Sequence, residues 1–312
     1  MKDLLRVSDL TPGDFALLLD LAAQFKADRH RHPNLLAGEL VALYFTKPST
    51  RTRFSFEAAI HRLGGSAVFT GPAELQVGRG ESIEDSARTM SHFASALVIR
   101  TFADEELERF ARAATIPVIN ALTDRHHPCQ ALADFLTLRE RFLSFDGLKL
   151  AYVGEGNNVA HSLIEAAALT GIAISVATPP GFEPDQSVVA RAGEVAAASG
   201  ATIRITNDPV EALGGAQAVY TDTWLSMGTP DTEREERMRR FASFRVTEDL
   251  LSAAAPGAVF MHCLPAHRGE EVDERVIDGP RSVVWEQVEN RGHTEQAVLF
   301  ALFERRLAGR GG

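Results

Sequence analysis

Short apolar runs rich in Val, Ile and Ala alternate with helix-forming segments along almost the whole chain, and this alternation most limits the possible folds. The runs rarely contain alternating polar residues, which is typical of strands buried on both faces of a parallel sheet. Strands that alternate with helices predict an α/β architecture. The predicted strands are Val41–Phe45, Ala67–Phe69, Ala96–Arg100, Pro117–Asn120, Leu148–Val153, Ile172–Ala177, Ala201–Ile205, Ala218–Thr221, Ala258–His262 and Ser282–Trp285.

The length of 312 residues predicts two domains, because domains usually contain about 100–200 residues. The junction is expected near Ser144–Gly147, which gives a first domain of residues 1–145 and a second of residues 146–291. Each should contain a mainly parallel sheet flanked by helices. A last helix, about His293–Leu307, is expected to pack back on the first domain, so that residues 292–312 belong to it.

The composition excludes several classes of protein. A net charge of −10 argues against a general nucleic-acid binder, whose domains are normally basic. No run of about 18 uncharged apolar residues is present, so we expect no membrane span. Two cysteines, Cys129 and Cys263, provide neither a disulfide framework nor a structural zinc site. The first fifteen residues carry acids and lack a continuous apolar core, so we expect no signal peptide and a cytoplasmic protein.

A cluster of hydroxyl and guanidinium groups follows the first predicted strand, in Ser49, Thr50, Arg51, Thr52 and Arg53. Backbone N–H groups at a helix start are unpaired and carry the positive end of the helix dipole, which favours an anion. The hydroxyls add neutral donors, and an arginine fork fits phosphate oxygens. The spacing of a Walker loop is absent. The segment therefore predicts a phosphate site, with an ordinary capped helix and solvated arginines as the alternative.

Three features of the chain resemble those of a known family. Ser-Thr-Arg-Thr-Arg after a strand is similar to the carbamoyl-phosphate signature of the aspartate/ornithine carbamoyltransferases, and His127-Pro128-Cys129-Gln130 is similar to their second signature. Arg100, at the end of a predicted strand, matches a third contact. The motifs have the family's order and spacing over nearly the whole chain. The resemblance implies that carbamoyl phosphate is bound by Ser49, Thr50, Arg51, Thr52, Gln76, Arg100, His127, Gln130, Cys263, Leu264 and Arg291.

The second signature makes chemical sense in that setting. Pro128 suits the first position of a helix, which places His127 and Gln130 at the helix start. An imidazole and an amide are suitable donors to a carbonyl oxygen whose charge grows during attack. The catalytic residues implied are Arg51, Arg100, His127, Gln130 and Cys263.

Two segments on the acceptor side resemble the ornithine-specific members of the family. Asp222-Thr223-Trp224-Leu225-Ser226-Met227-Gly228 and His262-Cys263-Leu264-Pro265 each follow a predicted strand, where ligands of open α/β sheets bind. The match implies an ornithine site of Asn158, Asp222, Ser226 and Met227. Asn157 is adjacent, and the sequence leaves the choice between the two asparagines open.

The resemblance implies transfer of the carbamoyl group of carbamoyl phosphate to the δ-amine of L-ornithine, which yields L-citrulline and phosphate. The site would lie in a cleft between the domains, with no metal and no organic cofactor. Cys263 would sit beside the amine, accepting its proton or tuning its charge rather than forming a covalent bond. Arg291 would be a ligand that precedes the last helix. Gln76 would reach the active site of a neighbouring subunit, so a homo-oligomer, most simply a trimer, is expected.

Three other functions stay open at the sequence level. Gly154-Glu155-Gly156 begins a Rossmann-like turn, but the third glycine of that motif is replaced by Val159, which weakens the case for a dinucleotide-binding oxidoreductase. A catalytically inactive member that only binds ligands is the second. The third is a sister enzyme acting on putrescine, a modified ornithine or aspartate. Whether the enzyme serves arginine synthesis or breakdown is also open.

Overall fold

The structure is a computed structural model that describes residues 1–77, 80–225 and 231–310. By contacts between Cα atoms the chain divides into two compact units. Unit 1 comprises Met1–Leu136 and Glu289–Gly312, and unit 2 comprises Thr137–Val288. The α/β class and the parallel sheets predicted from the apolar runs are confirmed. The domain junction near residue 145 stays a prediction.

Unit 1 contains a four-stranded sheet in the order β2-β1-β3-β4, and all of its pairings are parallel. The five helices that begin in this unit connect or flank the strands. The elements are α1 (Pro12–Ala27), β1 (Leu40–Phe45), α2 (Thr50–Arg62), β2 (Ser66–Thr70), α3 (Ile83–Phe93), β3 (Ala96–Arg100), α4 (Asp104–Ala113), β4 (Val118–Leu122) and α5 (Pro128–Phe142).

Unit 2 contains a five-stranded parallel sheet in the order β7-β6-β5-β8-β9. Its elements are β5 (Lys149–Val153), α6 (Asn158–Thr170), β6 (Ala173–Ala177), α7 (Gln186–Ser199), β7 (Ile203–Thr206), α8 (Pro209–Leu213), β8 (Ala218–Thr221), α9 (Asp231–Phe241), α10 (Glu248–Ser252), β9 (Val259–His262), α11 (Glu274–Ile277) and α12 (Val284–Arg310). The unit boundaries fall within α5 and within α12.

The strand order reverses once in each sheet, beside the first strand of that sheet. In unit 1 the chain passes from β1 to β2 on one side and returns to β3 on the other, with Phe45 paired to Arg100. In unit 2 the reversal lies between β5 and β8, with Val153 paired to Thr221. Loops diverge at such a reversal and leave a crevice at the carboxyl ends of the strands, where ligands of open α/β sheets bind.

The predicted tenth strand, Ser282–Trp285, is wrong. Ser282 forms only an isolated parallel bridge with Phe260, and α12 begins at Val284. The N–H of Gln287 donates to the carbonyl of Val283. This hydrogen bond belongs to the first turn of the helix, so the carbonyl is not paired with a neighbouring strand. Val283 and Val284 are buried, and Val284 belongs to the same core cluster of unit 2 as Phe260 of β9, which explains the strand-like composition, whereas Trp285 is exposed.

The last helix therefore starts nine residues earlier than expected from the sequence, at Val284 rather than near His293. Arg291 lies inside α12, not before it. Among the described residues, no helix is long and apolar enough to cross a membrane.

Candidate active site

The start of α2 has the capped geometry that an anion site needs. Ser49 is the N-cap residue, and its hydroxyl accepts a hydrogen bond from the Thr52 N–H over 3.2 Å. Thr50 is exposed and Arg51 is half-buried. Arg53 differs from the others, since its guanidinium pairs with the Glu57 carboxylate at 2.9 Å and is exposed. The sequence grouped Arg53 with the phosphate donors, whereas the structure gives it an ion pair on the surface of α2.

Three arginines surround His127 in unit 1. Burial, together with the positive charges of Arg291, Arg100 and Arg51, holds the pKa of His127 well below its ordinary value. These arginines come from α12, from the end of β3 and from the start of α2. The imidazole is therefore neutral near pH 7, so that one ring nitrogen donates a hydrogen bond without carrying a charge. A cluster of fixed cations beside a neutral donor suits a ligand that joins a phosphate to a carbonyl group.

A buried chain of hydrogen bonds links α5, α12 and α2. Arg291 Nη1 donates to Gln130 Oε1 over 2.6 Å, and Nη2 donates to Thr52 Oγ1 over 2.8 Å. Gln130 Nε2 donates in turn to Asp134 Oδ1 over 2.8 Å. Arg291 also pairs with the Glu295 carboxylate at 3.2 Å. All five side chains are buried, so their orientations are fixed by one another rather than by water.

Gln76 and Leu264 were both predicted to contact carbamoyl phosphate. Gln76 is exposed in the loop between β2 and α3, where its carbonyl accepts a hydrogen bond from the Glu81 N–H. Leu264 follows β9 in unit 2 and has a φ of 58°, a left-handed conformation that branched residues rarely adopt. The role of each in binding stays a prediction.

The Leu264 backbone is held by a buried histidine. The Leu264 N–H donates to His262 Nδ1 over 2.8 Å, which leaves the His262 proton on Nε2, 3.3 Å from Glu271 Oε1. Burial raises the pKa of Glu271, but the hydrogen bonds from His262 and from the His267 N–H outweigh burial and hold it below its ordinary value. Glu271 is thus ionised, and it stabilises the turn directly after Cys263.

In unit 2, Asp222 is a buried carboxylate at the carboxyl end of β8. The Cys263 thiol donates to Asp222 Oδ1 over 2.9 Å, and the Asn157 amide donates to Asp222 Oδ2 over 2.7 Å. The Thr223 N–H also donates to Oδ1, over 2.8 Å. Three donors hold the carboxylate in one orientation, in a position where an ammonium group is a suitable ligand.

The two adjacent asparagines have different positions in α6. Asn157 is the N-cap residue, and its side-chain oxygen accepts hydrogen bonds from the N–H groups of Val159 and Ala160. Its amide nitrogen contacts Asp222, so both ends of the group have structural partners. Asn158 is the first helical residue and is half-buried. The choice of Asn158 as the residue that contacts ornithine stays a prediction.

The turn before α6 also requires glycine. A Cβ atom on Gly156 would lie 2.2 Å from the backbone nitrogen of Pro184, which no side chain tolerates. Gly156 of the Rossmann-like motif therefore has a packing role in this loop.

Ser226 and Met227 lie outside the described residues. Trp224, just before these residues, is bound by Arg237 of α9, which follows them. The Nε of Arg237 donates to the Trp224 carbonyl over 3.0 Å, and its guanidinium pairs with Glu155. The loop after β5 and the segment after β8 therefore share one cation.

Within the described residues, two groups of side chains are close enough to hold a metal ion. They are Asp222, His262 and Cys263, and His267, Glu270 and Glu271. The hydrogen bond from Cys263 to Asp222 and the one from Leu264 to His262 already use donor and acceptor atoms of the first group.

Asp134 and Glu295 were not predicted from the sequence, and neither was the contact of Asn157 with Asp222. Asp134 lies four residues after Gln130, and Glu295 lies four residues after Arg291, so each pair shares one helix face. A spacing of four residues on a helix indicates that the two side chains can interact. The bond between Arg291 and Gln130 joins positions 161 residues apart and has no sequence signal.

A comparison with known families matches both halves of the chain. Residues 2–140 match the model described as aspartate/ornithine carbamoyltransferase, carbamoyl-P binding domain, and residues 146–302 match that family's Asp/Orn binding domain. The chain belongs to the aspartate/ornithine carbamoyltransferase family. The first match contains the start of α2, Arg100 and the start of α5, and the second contains Asp222 and Cys263.

Several relatives in the family are similar over almost their full length. The ornithine carbamoyltransferase of Parafrankia sp. (strain EAN1pec) is 50% identical over 309 residues, with 97% of this chain and 96% of the relative covered. The solved ornithine carbamoyltransferase of Pyrococcus furiosus has a TM-score of 0.92 at 47% identity, covering 96% of each chain. The Thermus thermophilus enzyme has a TM-score of 0.87 at 45% identity, covering 97% of this chain and 99% of that one. The chain is therefore similar to all three in sequence and to the two solved structures also in fold.

Proposed function

We propose that this chain is a carbamoyl transferase that uses L-ornithine as acceptor, producing L-citrulline and phosphate. Carbamoyl phosphate binds to the residues of unit 1, where Arg51, Arg100 and Arg291 surround His127. Ornithine binds to the residues of unit 2, with Asp222 as the partner of its α-ammonium group. The proposed site residues are those named from the sequence, including Ser226 and Met227.

On the carbamoyl-phosphate side, the protein supplies fixed charges and neutral donors. The guanidinium groups bind the phosphate and stabilise the negative charge that it gains as it leaves. His127 and Gln130 donate to the carbonyl oxygen during attack. Because Asp134 and Arg291 already fix the Gln130 amide, no reorganisation is needed when the charge develops.

On the acceptor side, the nucleophile is the neutral δ-amine. With a lysine-like pKa of about 10.4, its deprotonation at pH 7 costs about 4.6 kcal/mol, so a site that lowers this cost accelerates the reaction. The nitrogen lone pair attacks the carbonyl carbon, and the bond between that carbon and the bridging phosphate oxygen breaks, so the oxygen leaves with the phosphate. The attacking nitrogen loses one proton, and the phosphate leaving group gains one. Positioning and charge stabilisation then account for catalysis.

The observation that carries the choice of acceptor is the buried Asp222 carboxylate with its three donors. A buried carboxylate attracts the α-ammonium group of ornithine and repels an acceptor that brings an additional carboxylate, such as aspartate. Putrescine has no α-carboxylate for Asn158 to bind. The relatives named ornithine carbamoyltransferase support the same acceptor.

The test is citrulline formation by the purified protein with carbamoyl phosphate and each amine in turn. We expect turnover with ornithine at least a hundredfold above that with putrescine or aspartate, since each missing polar contact costs about 1–3 kcal/mol. Activity on either alternative without activity on ornithine would refute the proposal.

We also propose that the protein is a homo-oligomer, most simply a trimer, in which Gln76 completes the site of a neighbouring subunit. In unit 1, Phe54 is 68% exposed and Val68 of β2 is 42% exposed, and an interface with a neighbouring subunit would bury apolar side chains of this kind. Light scattering should give three times the chain mass of 33.9 kDa. A monomer with full activity would contradict this arrangement.

A further inference from the structure

A carboxylate that the mechanism above does not use lies one turn beyond Arg291. Glu295 is fully buried in α12, and Arg291 beside it is 3% exposed. Its Oε1 is 3.2 Å from Arg291 Nη2. A buried acid is costly unless it is paired, so its presence at this point calls for a physical explanation.

The hydrogen bonds of Arg291 show what depends on its orientation. Nη1 contacts Gln130 Oε1, while Nη2 contacts both Thr52 Oγ1 and Glu295 Oε1. Arginine only donates, so it must face the oxygen of the Gln130 amide, and the amide nitrogen then faces Asp134. Rotation of the guanidinium would release both Gln130 and Thr52. Glu295 is the acceptor on Arg291's own helix that opposes this rotation.

We propose that Glu295 is a positioning residue for carbamoyl-phosphate binding, which holds the Arg291 guanidinium in the orientation that fixes Gln130 and Thr52. The inference rests on the proposed function, because it assigns Glu295 a role through Arg291. Glu295 itself does not contact the substrate.

The charge of Glu295 varies near neutral pH without removing its acceptor atoms. Burial raises the pKa of Glu295 to about 7, against the lowering effects of Arg291 and the Ser55 hydroxyl. The groups facing it are Arg291 on α12, Ser55 on α2 and Cys129 on α5, whose thiol pKa is raised by burial and further by the carboxylate. The neutral acid still has a carbonyl oxygen that accepts from Arg291. An amide should therefore replace it.

The experiment compares Glu295→Met with Glu295→Gln, two side chains of similar length that differ in having an acceptor. We expect the methionine variant to raise the KM for carbamoyl phosphate about tenfold, the effect of losing one hydrogen bond to a charged group, with the ornithine KM unchanged. The glutamine variant should stay within about threefold of the wild type. Equal KM values for carbamoyl phosphate in the methionine variant and the wild type would overturn the inference.

Two further variants guard against misfolding and non-specific effects. Glu295→Asp keeps the acid but withdraws it by one methylene, so it should raise the same KM; a wild-type value would count against positioning. Glu289→Gln is the matched control on α12, because Glu289 is partly exposed and pairs with Arg29. If the wild type is inactive with ornithine, the proposed function is refuted. If the wild type is active and the Glu295 variants have its KM for carbamoyl phosphate, only this inference is refuted.

Unfolding experiments provide a readout that is independent of activity. The pKa of Glu295 is higher in the folded protein than in the unfolded chain, so the stability from its protonated form is present below the unfolded value and is lost as pH rises through about 7. Glutamine cannot lose a proton. The Tm of Glu295→Gln minus that of the wild type should therefore increase from pH 5 to pH 8. A constant difference would contradict the raised pKa of Glu295 in the folded protein.

Discussion

Replacing Arg51 with glutamine is expected to lower kcat/KM for carbamoyl phosphate by about a thousandfold, or about 4 kcal/mol of transition-state stabilisation. Arg51 lies at the start of α2, and its charge is one of three that depress the pKa of His127. In the proposed reaction its guanidinium stabilises the departing phosphate, so kcat and carbamoyl-phosphate binding should both fall. Steady-state citrulline formation, with each substrate varied in turn, measures the effect.

A matched control for this variant is Arg112→Gln. Arg112 is exposed on α4 and pairs only weakly with Glu108, at 3.4 Å, so its loss should leave the kinetics unchanged. Arg51→Lys separates charge from geometry, since lysine keeps the charge but lacks the planar fork. If Arg51→Gln retained wild-type kcat/KM, the helix start would not be the phosphate site.

Replacing Asp222 with asparagine should raise the KM for ornithine by about a hundredfold, because a charged hydrogen bond to an ammonium group contributes about 1.5–3 kcal/mol. The carboxylate is buried and accepts from Cys263 and Asn157, so the variant changes the charge at nearly constant shape. Carbamoyl-phosphate affinity should be unaffected. Isothermal titration with carbamoyl phosphate and initial rates at varied ornithine distinguish the two sites.

Asp146→Asn is the corresponding control, since Asp146 is exposed in the loop before β5. It makes the same charge change in unit 2, outside the proposed site. Wild-type ornithine kinetics in the Asp222 variant would show that the acceptor site had been assigned to the wrong residues.

Most strands of both sheets were predictable from the local pattern of apolar residues. Nine predicted strands were confirmed. Most of them are buried on both faces of a parallel sheet and are therefore apolar throughout, whereas β2 and β7 at the sheet edges are only partly buried. The tenth, Ser282–Trp285, failed because the same composition marks the buried start of α12. Over four residues, an apolar run does not distinguish a strand from a buried helical turn.

Some of the residues that support the site could be predicted from local spacing, and others could not. Asp134 and Glu295 follow their partners at a spacing of four on a helix, which a closer reading of the sequence would have found. Asn157 caps α6 and also contacts Asp222, a residue 65 positions away. No local pattern indicates that contact. The structure also separated Arg53 from the other members of the Ser49–Arg53 segment by placing its ion pair on the surface.

By itself, the sequence determined the α/β class, the family and the chemical types of the site residues. Those properties depend on side-chain identity and on spacing within single strands, turns and helices. The tertiary structure alone decided which distant groups meet: Arg51, Arg100 and Arg291 around His127 in unit 1, and Cys263 and Asn157 on Asp222 in unit 2. The physical reason is the parallel arrangement of each sheet, which gathers the carboxyl ends of strands that are far apart in the chain, while α12 supplies Arg291.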